Sequence, residues 1–106
     1  MAAHASALPR RAMIEATRIL DGLRTSVLII DQTHSVLFLN VAAETLLGVS
    51  RNQATGRPLR ELVADSTALD AVIERAVETW RPYSRRELSL RPIYAGEGEL
   101  VVDCTV

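Results

Sequence analysis

Lysine is absent from this chain: all twelve basic residues are arginine. Arginine's planar fork suits phosphate recognition, but the twelve are spread along the sequence, so they read as biased codon usage rather than an anion site. Against thirteen acidic residues they leave a net charge of −1, which excludes the strongly basic surface of a nucleic-acid or anionic-membrane binder. Cysteine occurs once, at Cys104, so there is no internal disulfide framework, and no Cys/His pair has metal-ligand spacing. Aromatic residues are limited to Phe38, Trp80, Tyr83 and Tyr94, few for sandwiching a flat ring. No apolar run approaches the roughly 18 residues of a membrane span. Ala-rich residues 1–7 lack the apolar core of a secretory signal, which makes the cytoplasm the expected compartment.

What is present is enough for one domain. A chain of 106 residues, 48% of them hydrophobic, buries about 60–70% of its unfolded surface. Val27 to Ile30 is a continuous apolar run, the pattern of a strand covered on both faces. Asp31 to Ser35 supply a polar turn, with Asp31 as the turn former that accepts backbone N–H groups. Val36 to Leu39 form a second strand. Asn40 then stands where a helix cap belongs, before Ala42, Ala43, Leu46 and Leu47 at helical spacing, and Gly48 is the stop.

Two more helices are written in the periodicity. From Pro9 to Leu23, the residues Met13, Ala16, Ile19, Leu20 and Leu23 make one apolar stripe, and Gly22 weakens the last turn. From Thr67 to Trp80, the residues Leu69, Val72, Ile73, Ala76, Val77 and Trp80 repeat at helical spacing, and Arg81-Pro82 ends the helix. Two strands follow, Arg86 to Arg91 and Glu99 to Val106, joined by a loop with Gly96 and Gly98. In the second, Leu100, Val102, Cys104 and Val106 share a face, which expects Cys104 to be packed rather than reactive. Strands, then helices, then strands predict an α+β fold.

The order of these parts, with Asp31 closing a strand and Asn40-Val-Ala-Ala-Glu-Thr-Leu-Leu-Gly48 opening a helix, resembles the N-terminal half of a PAS domain. Ala54-Thr-Gly-Arg-Pro-Leu-Arg-Glu-Leu62 continues the resemblance. It implies an antiparallel sheet with helices on one face over residues 24–106, preceded by residues 1–23 as a tail and amphipathic helix. In such domains the leading helix often packs against its copy in a second subunit; alternatively the stripe covers the sheet of its own chain. The family's sheet has five strands with the last beside the first. This sequence supplies four, so the C-terminal fifth strand is expected to be missing and the sequence to be a piece of a longer protein.

The resemblance also allows cofactor tests. Flavin photoreceptors of this fold carry a reactive Cys where Leu59 stands, and Leu cannot form the adduct. Haem-binding relatives use a His on the long helix, and Thr67 to Trp80 contains none. His4 and His34 read as a terminal and a solvated turn residue, and neither is placed to activate Cys104. The fragment is therefore expected to be no enzyme, with no cofactor or metal. Any small-molecule pocket would be lined by Ile29, Phe38, Leu46, Leu47, Leu62, Ile73 and Val102, although a filled core is the favoured reading of those residues.

Within the family, the run from Ile19 to Asp31, then Leu37 to Ser50, then Gly56 to Val63 is similar to the start of the nitrogen-regulation sensor histidine kinases, the NtrB family. That similarity implies a homodimer that relays signal to a kinase core. A PII signal protein and a response regulator would then act through other parts of the parent protein. The alternative is a small-molecule sensor in another kinase, a cyclic-dinucleotide enzyme or a transcription activator. Met13, Ala16, Ile19, Leu20 and Leu23 are the candidate dimer face.

Overall fold

The computed structural model describes residues 10–94 and 99–106. Helix α1 spans Arg10–Asp21, and the N–H of Gly22 closes its last turn on the carbonyls of Arg18 and Ile19 (3.0 and 3.2 Å). Strands β1 (Leu28–Ile30) and β2 (Val36–Leu39) form an antiparallel hairpin. The Asp31 carboxylate builds its turn by accepting the N–H groups of Thr33 and Ser35 (2.8 and 3.0 Å) and the Thr33 hydroxyl (2.7 Å). That arrangement lets His34 sit at φ 61°, in the left-handed region.

Helix α2 (Val41–Leu47) begins at the Asn40 cap and ends at Gly48, whose φ of 69° is the left-handed stop that glycine supplies without strain. A one-turn helix α3 (Arg51–Ala54) follows, held by a capping box between Ser50 and Gln53. The chain then lies along the free edge of β2. Val36 N–H bonds to Arg57 O, Gly56 N–H to Val36 O and Leu59 N–H to His34 O. A 3-10 turn (Leu59–Glu61) leads into the two-residue strand β3 (Val63–Ala64), which the sequence pattern did not reveal.

Helix α4 (Thr67–Thr79) packs on strand β4 (Ser84–Pro92), which pairs with β3 on one side and β5 (Leu100–Thr105) on the other. The long helix therefore lies on the sheet, with Val72, Ile73 and Ala76 buried. Val77 and Trp80 do not join them. The helix stops at Thr79, and Trp80 is 90% exposed at φ 53°. The apolar spacing runs on past the end of the surface that could cover it.

Two sheets result, β1-β2 and β3-β4-β5, all pairings antiparallel. Val36, Leu39, Leu47, Leu59, Leu62, Val63, Ile73, Leu88 and Leu90 form one continuous core joining them. The architecture is the α+β arrangement expected. Among the described residues no strand bridges the second edge of β1 and the second edge of β5. His4, Gly96 and Gly98 lie outside the described residues, as does the side chain of Cys104.

Candidate functional site

A groove of about 690 Å³ opens between the unpaired edges of β1 and β5. Val27, Leu28 and Ile30 form one wall, and Val102, Asp103 and Val106 belong to the other; Leu47, Leu59, Val63 and Ile73 floor it. The lining is predominantly apolar, and its size falls within the ~300–1,000 Å³ of small-molecule sites. Unlike an enclosed cavity, it is flanked by two strand edges whose free N–H and C=O groups seek partners. It can therefore hold an apolar molecule or an extended segment.

Of the sequence-predicted lining residues, Leu46, Leu47, Ile73 and Val102 meet here. Ile29, Phe38 and Leu62 do not. Ile29 pairs across the hairpin with Phe38, so both stand on the face opposite the inward-pointing Leu28 and Ile30. Phe38 lies under the Arg51 guanidinium, 4.5 Å from ring centre to Cζ, and Leu62 is sealed in the core.

Beneath the start of β1 sits a polar joint that the sequence showed only in part. Asn40 is completely buried and uses its whole side chain. Its Oδ1 accepts the N–H groups of Ala43 and Val27, both at 2.9 Å, and its Nδ2 donates to the carbonyls of Leu20 and Thr25, both at 2.8 Å. One side chain thereby caps α2, anchors β1 and fixes the exit of α1. Beside it, Asp21 accepts from the Arg51 guanidinium and from Val41 N–H, while Arg51 Nε donates to Leu39 O at 2.7 Å. The end of α1 is thus fastened to the domain by polar contacts.

Among the described residues, the rest of α1 makes no such polar contacts with the domain. Met13, Ile19 and Leu23 are 46%, 68% and 44% exposed, Ala16 is exposed, and only Leu20 is half-buried. Ile14, which the stripe omitted, is exposed as well.

His34 is not the solvated residue that its turn position suggests. It is half-buried, with Nδ1 2.6 Å from Asp70 Oδ1, and Ser66 Oγ donates to the other Asp70 oxygen at 2.8 Å. The carboxylate stands between the hydroxyl and the imidazole. A hydrolytic triad needs the imidazole in the middle to take the hydroxyl proton, so this trio ties the hairpin turn to the start of α4 and activates no nucleophile. Among the described residues no cluster of three or more His, Cys, Asp or Glu could hold a metal, and no helix is long and apolar enough to cross a membrane.

Two turn carboxylates carry depressed pKa values. Asp31 is held below the usual 3.8 first by the Thr33 hydroxyl and then by Ser35 N–H. Asp65, at φ 51°, is lowered in the same way by the Thr67 hydroxyl and N–H. A folded pKa below the unfolded one stabilises the fold above the unfolded value and loses that contribution as pH falls through the folded value. Stability is therefore expected to be level through neutral pH with respect to these groups and to decline below about 4. Urea titrations of Asp31→Asn across that range should show a shallower decline than the parent; an unchanged acid slope would refute the assignment.

A family model described as PAS fold matches residues 13–105. No curated protein matches significantly. Among solved structures, the PAS domain of nitrogen regulation protein NR(II) from Vibrio parahaemolyticus superposes with a TM-score of 0.72 at 19% identity, covering 85% of this chain and 80% of that one. A PAS domain from Colwellia psychrerythraea gives 0.66 at 20% identity, over 83% of this chain and 75% of that one. The E. coli DhaR(N)-DhaL complex gives 0.63 at 18% identity, over 88% of this chain and 30% of that one.

Proposed function

The chain belongs to the PAS family, and from that premise we propose that it is a non-catalytic dimerisation and signal-relay module of a cytoplasmic sensor histidine kinase of the nitrogen-regulation type. The observation that carries this reading is the state of α1. Its apolar stripe is exposed along Met13, Ala16, Ile19 and Leu23, while the core of the domain closes without it. A second copy offers the same stripe, so a two-fold arrangement buries both at once. The polar joint at Asn40 and Arg51 then ties each helix to its own domain, so that a change in the domain alters how two kinase chains are aligned. A signal acts through this module only by favouring one arrangement over another.

The similarity in fold to the NR(II) PAS domain supports the nitrogen-regulation assignment. A PII signal protein and the response regulator would engage the parent protein elsewhere. Sedimentation equilibrium from low to high micromolar concentration tests the proposal. A reversible monomer–dimer equilibrium is expected, and a monomer at every concentration would overturn it.

The groove favours a second reading, a small-molecule sensor, because its size and apolar lining suit a compact ligand. Native mass spectrometry separates the two: a stoichiometric co-purifying ligand supports the sensor, and a clean polypeptide mass supports the relay module.

A further inference from the structure

The outward face of the β1–β2 hairpin is apolar, and neither the groove nor the buried core uses it. Ile29 and Phe38 pair across the hairpin on that face. Ile29 is 44% exposed and Phe38 half-buried. Leu37, which the register shift leaves without a cross-strand partner, is 45% exposed. The Arg51 guanidinium that lies over the Phe38 ring also binds the Asp21 carboxylate at the end of α1. The hairpin face and the exit of α1 are therefore neighbours, with one guanidinium between them. Leu23, two residues past Asp21, is 44% exposed.

Area, charge and helix geometry point to the occupant of this face. Helix α1 has 12 residues, which makes it about 18 Å long and about 10 Å wide. One side of it offers a footprint of roughly 200 Å², against roughly 800 Å² per partner in a stable interface. A pairing of two α1 stripes alone falls short, and the hairpin face is apolar surface continuous with it. The cation over Phe38 is already paired with Asp21 and donates through Nε to Leu39 O, so the face suits an apolar helix better than an anion. Finally, Ile14 is 50% exposed and lies about 140° around α1 from Ile19. One neighbouring helix covers only one of these two flanks.

We propose that the face made by Ile29, Leu37 and Phe38 receives α1 of a second copy, so that each α1 in the dimer lies between its twin and the partner's hairpin. This rests on the dimer reading above and extends its interface to a second surface. A two-fold axis makes both seats at once. It also links the groove to the partner in trans. Leu28 and Ile30 line the groove, while Ile29, between them, faces the partner's helix. Whatever fills the groove then presses on the strand that holds that helix.

Sedimentation equilibrium of Ile29→Glu and, separately, Leu37→Lys tests the proposal, with urea unfolding of each. Both positions are exposed, so the urea midpoint should hold while the dimer dissociation constant rises about tenfold or more. Val77→Glu, 62% exposed on α4, should leave association unchanged. If both hairpin variants associate as the parent does while Ile19→Asp does not, this inference falls and the α1 pairing stands. A parent protein that stays monomeric overturns both. Stability lost in step with association in both variants would also overturn it, because the face would then belong to the packing of its own chain.

Discussion

Asn40→Ala is expected to destabilise the domain by about 3 kcal/mol or more, the largest loss of any single polar substitution in the described structure. The cap alone contributes about 1 kcal/mol. Removing it also takes the partner from Val27 N–H and from the carbonyl of Thr25, and one of two partners from the Leu20 carbonyl, which still accepts Leu23 N–H; a buried group left without a partner costs about 1–3 kcal/mol. Water reaches the vacated place poorly from within, because Asn40 itself has no exposure, while Thr25 stands at the exposed rim. Asn40→Asp keeps the cap oxygen yet turns acceptors toward two carbonyls, so it should be no better than alanine. Asp21→Ala, by contrast, breaks a partly exposed pair and should cost about 1 kcal/mol or less. Urea unfolding of the three variants checks the order. A loss below 1 kcal/mol for Asn40→Ala would show that the joint does not hold the fold together. Amide exchange adds a functional readout: both Asn40→Ala and Asp21→Ala should loosen α1 more than β4.

Residues that act on near neighbours were legible in the sequence. The Asp31 turn, the Asn40 cap and the Gly48 stop each depend on bonds within a few positions, and each appears as expected. What was hidden depends on distance. The bonds from Asn40 to Leu20 and Thr25 span 20 and 15 residues, and the His34–Asp70 contact spans 36, so no local spacing announces them. The helix stripe misled in a different way. Periodicity places Val77 and Trp80 on the same face as Val72 and Ile73, but it cannot show that the underlying sheet has run out before Trp80. Likewise the apolar run of β1 does not say which of its alternate residues point inward; pairing of Ile29 with Phe38 on the outer face decides that. The groove itself was expected only as an unfilled strand position. Its shape follows from how far apart β1 and β5 stand, which is a property of the packed core.

Ile19→Asp is expected to abolish self-association while leaving the folded monomer intact. Ile19 is the most exposed large apolar residue of α1, at 68%, and it lies between Met13 and Leu23 on the stripe. If two copies pair there, the substitution forfeits the burial of an isoleucine in each, about 1.5–3 kcal/mol per side chain. It also places a carboxylate against its own copy across the two-fold axis. A hundredfold or larger rise in the dimer dissociation constant corresponds to about 2.7 kcal/mol, within reach of one such loss. Monomer stability should change by no more than about 0.5 kcal/mol, as for other exposed positions. The two readouts separate the roles that the sequence left open for this helix. If α1 instead covered the sheet of its own chain, Ile19→Asp would lower the urea midpoint and leave the sedimentation behaviour unchanged, because the buried partner surface would be intramolecular. Leu20→Asp provides the opposite control: Leu20 is half-buried against the domain, so its substitution should destabilise the monomer itself. The dimer proposal therefore requires loss of association at Ile19 without loss of stability, and stability loss at Leu20.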